Sequence, residues 1–208
     1  MKKTLLSLLF IFSLSSAYTQ QQSNIQIAYN ALKSKSYDIA ILNYSKVIDV
    51  KVDYAPAYYG RAIAYYHQQD YKQALLDFNK AVQLDKNLKD VFYSRGLCNL
   101  QLNNLSRAIE DFTEYLKENP KSADALYARA NAYYFGEQDD AALADYNSAI
   151  TINNSYANGY YGRALINKIR KNNDAALRDF DKYIELAGKN SPLAPEVDRL
   201  IKEILQAE

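Results

Sequence analysis

Apolar positions along this chain fall at spacings of three, four and seven, and the whole pattern recurs every 34 residues. The clearest copy is Ala55 to Leu88, APAYYGRAIAYYHQQDYKQALLDFNKAVQLDKNL. With Ala55 as place one, five units follow without insertion: 21–54, 55–88, 89–122, 123–156 and 157–190. Place 20 is Ala40, Ala74, Ala108, Ala142 and Ala176, and place 24 is always aromatic, Tyr44, Phe78, Phe112, Tyr146 and Phe180. Place 28 is always aliphatic: Ile48, Val82, Leu116, Ile150 and Ile184. These positions share one face of a helix, the second in each unit. The first helix carries Tyr58, Phe92, Leu126 and Tyr160 at place four and a small residue, Ala28, Ala62, Gly96, Ala130 or Ala164, at place eight, where two backbones approach. Between the helices, place 16 holds Ser36, Asp70, Asn104 and Asn172 as expected helix caps, with Gln138 the exception and Asp139 beside it. Asp70 followed by Gln73 has the form of a capping box. Each unit therefore reads helix, tight turn, helix, and buries its apolar face only against its neighbours.

The ends depart from the repeat. The first copy has Asn24 where the others have a large apolar residue, as an end unit does. At the other end, 191–208 predicts a single amphipathic capping helix over Pro195 to Gln206, with Val197, Leu200, Ile201, Ile204 and Leu205 on its apolar face. Met1 to Ala17 has Lys2 and Lys3, an apolar run from Leu5 to Leu14, then small residues at Ser15 and Ala17. That arrangement predicts a cleaved secretory signal peptide, residues 1–17, and a mature protein exported to the periplasm or the extracellular space. The apolar run falls short of the ~20 residues that span a bilayer, so no stable membrane insertion is expected after cleavage.

The unit resembles the tetratricopeptide repeat, whose pattern sets an aromatic, a small residue, a Tyr, then Ala, Phe and Pro at fixed intervals. In the best copy these places are Tyr58, Ala62, Tyr65, Ala74, Phe78 and Ala81. The chain lacks Trp, has Arg where the pattern has Leu, and keeps the closing proline only at Pro120. The resemblance implies an all-α, right-handed α-solenoid of helix-turn-helix repeats with a C-terminal capping helix. It also implies a concave groove that holds a peptide or helix of a partner protein.

Composition narrows the function. After loss of Lys2 and Lys3 the 23 basic and 24 acidic residues leave a net charge of −1, without the basic footprint of a nucleic-acid binder. A single histidine, His67, rules out a multi-histidine metal site, and no metalloprotease, phosphate-loop or nucleophile-elbow motif occurs. No cofactor, metal or enzymatic activity is expected. The single cysteine, Cys98, is expected as a small core residue.

Two further recurrences remain. Arg61, Arg95, Arg129 and Arg163 at place seven match Asp77, Asp111, Asp145 and Asp179 at place 23, and the first unit lacks both, having Ile27 and Asn43. In an antiparallel hairpin these places lie within a turn of each other, which predicts an Arg–Asp ladder inside the units. Tyr59, Tyr93, Tyr127 and Tyr161 recur at place five. Places five, nine and twelve form a stripe beside the buried one, adding Asn131, Tyr66 and Tyr134, with Phe135 just beyond. By the resemblance this stripe lines the groove, aromatic and nearly uncharged; the clamp that holds a chaperone's C-terminal carboxylate is not reproduced. Two readings of the tyrosines stay open, ligand contact and packing between repeats. The expected function is an exported, non-catalytic scaffold for a protein or peptide partner. A cell-envelope glycan-binding module and a structural subunit of an envelope assembly are the alternatives.

Overall fold

A computed structural model describes residues 19–88 and 90–206; the expected signal peptide lies outside them. Among the described residues every regular element is a helix. In order these are α1 (19–33), α2 (Tyr37–Val50), α3 (Ala55–His67), α4 (Tyr71–Leu84), α5 (Asp90–Gln101), α6 (Leu105–Glu118), α7 (Ala123–Phe135), α8 (Asp139–Ile152), α9 (Ala157–Ile169), α10 (Asn173–Ala187) and α11 (Ala194–Gln206). The chain divides into two compact units, one ending at Leu102 and the other beginning at Asn103. The division falls in the turn of the third repeat, so α5 belongs to the first unit and α6 to the second.

In the first unit α2 packs on α3, α3 on α4 and α4 on α5, with α3 also beside α5. Its interior is made by the repeating apolar places. Ala28, Ala40, Tyr44 and Val47 meet Ala57 and Ala64 at one level, and Ala62, Ala74 and Phe78 meet Val91 and Cys98 at the next. Cys98 is fully buried, its thiol donates to the Tyr71 carbonyl at 3.1 Å, and burial pushes its pKa up to about 12. The outer side of α1 differs from later first helices in being polar. Ser23, Gln26 and Asn30 stand at places three, six and ten, where later repeats carry small or apolar residues, all buried but the half-buried Ser94, and Gln26 Nε2 donates to Asn30 Oδ1 at 3.0 Å. Asn24 is buried and accepts from Gln20 Nε2 at 3.1 Å. Such a face suits an end repeat, which meets solvent where the others meet a neighbour.

The second unit runs α6 on α7, α7 on α8, α8 on α9, α9 on α10 and α10 on α11, with α7 beside α9. The last helix covers the end of this stack. Val197, Leu200 and Ile204 are buried against Ala164, Ala176, Phe180 and Tyr183, and Ile201 is partly buried with them. Leu205 does not join that face. It is 56% exposed, because the buried stripe of α11 follows 197, 200 and 204, and 205 turns past its edge.

Each helix-to-helix turn uses a left-handed residue at place 15: Lys35, Gln69, Asn103, Glu137 and Lys171, with φ between 56° and 63°. In four turns the place-16 amide donates to the place-11 carbonyl at 2.8–2.9 Å and the place-15 amide to the place-12 carbonyl at 2.9–3.0 Å. That paired closure ties off the C-terminus of the first helix. Because the backbone fixes the turn, the side chain at place 16 is largely freed from capping. Asp70 Oδ1 does accept from the Gln73 amide at 3.2 Å, but Ser36, Asn104, Gln138 and Asn172 make no side-chain cap hydrogen bond. Asp139 is the first residue of α8, not its cap, and stands 3.8 Å from Arg170.

Candidate functional site

The recurrent arginines are fixed by geometry that the helical hairpin imposes. Arg61 Nε and Nη2 donate to Asp77 Oδ2 and Oδ1 at 2.7 and 2.9 Å, Arg129 to Asp145 at 2.7 and 2.8 Å, and Arg163 to Asp179 at 2.8 and 2.7 Å. These parallel charge-assisted pairs raise the pKa of each of the three guanidinium groups. The remaining Nη1 reaches the preceding repeat, where place 25 supplies Ser45, Thr113 and Asn147 at 2.9, 3.0 and 2.7 Å. Arg95 Nη1 likewise donates to Asn79 at 3.0 Å, and Asp111 is buried on α6. Each guanidinium also lies over a ring, Tyr58, Phe92 and Tyr160 at place four, or Tyr133 where place four is Leu126. In the first repeat, Ile27 is exposed and Asn43 Nδ2 bonds back to the Ile39 carbonyl at 2.8 Å.

The place-five tyrosines are all half-buried. Three of them lie against the place-24 aromatic of their own repeat: Tyr59 on Phe78, Tyr127 on Tyr146 and Tyr161 on Phe180, with ring centroids 5.8–6.2 Å apart. Packing is thus within the hairpin for the ring face, and the opposite edge of each side chain is left at the surface. In the first unit Tyr59 also shares a 3.2 Å hydroxyl contact with Ser94, and Tyr66 meets Tyr71 and His67 edge-on. Tyr93 lies on α5 in that unit.

In the second unit the candidate residues come together. Tyr127, Asn131, Tyr134 and Phe135 from α7 and Tyr161 from α9 line one recess of about 390 Å³. Leu165 completes its apolar wall, and Tyr146 and Gly162 form its floor. Tyr146 is 1% exposed, and its hydroxyl donates to Asn131 Oδ1 at 2.6 Å, which orients the amide. Among the described residues no acceptor takes the Asn131 Nδ2. Phe135, 61% exposed, stands as a ridge between this recess and a neighbouring hollow lined by Tyr134, Glu137, Asp139 and Ile169.

The lining of the recess carries one charge, which comes from outside the repeats. Glu196, in the first turn of α11, lines it. Two hydrogen bonds from Arg199, at 2.6 and 2.9 Å, hold this carboxyl below the usual carboxylate range, and Arg199 is bonded to Glu203 as well. Burial, and after it the Glu196 charge, raise the Tyr161 pKa, so the phenol is neutral. Repeat periodicity could not reveal Glu196, because it lies beyond the last repeat. The ladder's place-25 acceptors were also missed; their signal is an oxygen-bearing side chain at every copy. Among the described residues, no cluster of metal-binding side chains occurs and no helix is long and apolar enough to cross a membrane.

Two family models, each described as a tetratricopeptide repeat, match residues 55–88 and 93–158. Among solved structures the fold is similar to MamA 41-end from Desulfovibrio magneticus RS-1, with a TM-score of 0.77 and 20% identity over 80% of this chain and 94% of that one. It is also similar to YrrB, described as a TPR protein with an unusual peptide-binding site, with a TM-score of 0.74 and 22% identity over 85% of this chain and 90% of that one. No curated protein matches the chain.

Proposed function

Because the chain belongs to the tetratricopeptide-repeat family, we propose that it is a non-catalytic scaffold that holds an extended segment of a partner protein in the recess between α7 and α9. The observation that carries this reading is the juxtaposition of Tyr127, Tyr134 and Tyr161 with the outward Asn131 amide. Rigid aromatic walls give contact area at small entropic cost, and an amide donor held by Tyr146 suits a peptide carbonyl. YrrB, similar in fold, is itself described as having a peptide-binding site. The MKKTLLSLLFIFSLSSA stretch supports action outside the cytoplasm. Mass spectrometry of the exported protein should find a chain beginning at Tyr18, and an intact Met1 end in that fraction would refute export by cleavage.

Binding is tested against an array of unstructured peptides and, in parallel, a glycan array. Phe135→Ala is the informative variant, since its ring is mostly exposed and its loss leaves the core intact. Peptide binding should fall by a factor of ten or more, about 1.4 kcal/mol, with an unchanged unfolding midpoint. Binding confined to glycans, or peptide binding indifferent to Phe135, would overturn the reading.

A further inference from the structure

The two hollows on either side of Phe135 share a charge bias. The recess has one charged residue in its lining, Glu196, and the adjoining hollow has Glu137 and Asp139; no lysine or arginine lines either. The nearby cations are each paired with a carboxylate, and Arg170 Nε lies 3.8 Å from Asp139 of the hollow itself. Lys168 pairs with Glu203 at 3.1 Å, Arg170 Nη2 with Asp140 at 2.8 Å, and Arg199 grips Glu196 while also bonding Glu203. Around the carboxylates stand Tyr134 and Phe135, whose ring faces carry the negative end of the aromatic quadrupole, beside the outer edges of Tyr127 and Tyr161.

We infer that the segment bound here is basic, with a lysine or arginine side chain entering the recess between the tyrosine rings and Glu196. This deepens the proposed function and rests on the recess being the binding site. A cationic head on an apolar stem matches both halves of the lining: the stem covers Leu165 and the edges of Tyr127 and Tyr161, and the head meets the Tyr134 and Phe135 rings and the carboxylate. An acidic side chain would set a like charge against Glu196, and a purely apolar one would gain nothing from the carboxylate. Arg199 then acts as an internal competitor. It takes one hydrogen bond on each Glu196 oxygen, so its removal frees the carboxylate for the ligand.

The test uses the full chain and the same peptide array, followed by titration of a binding peptide and its copy with lysine replaced by norleucine. Binders should be enriched in lysine or arginine, and norleucine should weaken binding about fivefold or more, the scale of a partly exposed ion pair joined to a cation–π contact. Glu196→Gln should erase most of that difference, and Arg199→Gln should strengthen binding of the lysine peptide. The opposite signs matter, because a merely structural role of the Glu196–Arg199 pair would make both variants bind worse. Equal affinity of the lysine and norleucine peptides would overturn the inference, as would loss of binding in both variants. If Phe135→Ala still abolishes binding in that case, the recess stands as the site and only its basic preference fails. If Phe135→Ala has no effect, the site itself fails.

Discussion

Two glycines mark where a place-24 tyrosine, ring and hydroxyl together, needs room. A Cβ on Gly162 would lie 2.8 Å from the Tyr146 hydroxyl oxygen and inside the ring's contact distance, and one on Gly60 would lie 2.7 Å from that of Tyr44. Where place 24 is Phe instead, the next repeat carries Ser94 after Phe78 and Ala128 after Phe112. Gly162→Ala should therefore be destabilising although it sits inside α9, where Ala is favoured over Gly by ~0.5–1 kcal/mol. Tyr146 cannot swing aside, being buried and anchored on Asn131. Overpacking costs about 1–3 kcal/mol, which leaves a net loss of about 1–2 kcal/mol. Tyr146→Phe alone loses one hydrogen bond, about 1 kcal/mol. The double variant reproduces the Phe112–Ala128 pairing and, with the anchor on Asn131 gone, lets the ring shift off the new methyl, so it should be no less stable than Tyr146→Phe. The coupling, about 1–2 kcal/mol, exceeds the ~0.5 kcal/mol scatter of independent sites. Urea unfolding followed by circular dichroism measures it, and hydrogen exchange in α8 and α9 localises it, since repeat arrays open in parts. An additive cycle, or a Gly162→Ala protein as stable as the parent, would refute the steric argument.

Three other outcomes are expected. Asp145→Ala leaves Arg129, whose side chain is 19% exposed, with a hydrogen bond to Thr113 at 3.0 Å in place of its ion pair, and should cost about 2–3 kcal/mol, between the exposed and buried limits for ion pairs; Arg129→Met combined with Asp145→Leu should recover much of it in urea melts. Glu137→Gly relieves a left-handed φ of 56° and should raise the thermal midpoint by a gain of up to about 1 kcal/mol, strain relief outweighing glycine's entropy. Leu200→Ala should cost about 2–5 kcal/mol and bring early hydrogen exchange to α10, because Leu200 is buried in the cluster around Phe180.

The hairpins were legible because the repeat samples one environment many times: Ala at place 20 and an aromatic at place 24 can satisfy only a close-packed helix pair. Features defined by chemical capacity rather than residue identity were harder to read. Ser45, Asn79, Thr113 and Asn147 share only an oxygen that accepts from the arginine of the next repeat, and place 15 holds Lys, Gln, Asn and Glu in a conformation usually associated with glycine. The place-five tyrosines resisted a binary choice, since one ring face packs inside the hairpin while the outer edge lines the surface. Leu205 was misplaced by extending the apolar stripe of α11 one residue too far around the helix.

The recess in the second unit arises by subtraction within the repeats and addition from outside them. Place nine is Ile63, Leu97 and Leu165 in three repeats but Asn131 in the fourth, a shorter polar side chain that Tyr146 can anchor. Place six of the following repeat is Gly162, against whose bare backbone the Tyr146 ring packs beneath the recess. Both changes involve Tyr146, whose hydroxyl supplies the bond to Asn131 and whose ring and hydroxyl leave no room for a Cβ at 162. A single phenol at place 24 thus sets the depth of the hollow and the direction of its amide. The charge comes from α11, whose buried Val197 and Leu200 fix the helix against α10 and so hold Glu196, in the same turn, at the rim. Closing the exposed end of the stack and charging the recess are consequences of one packing interaction.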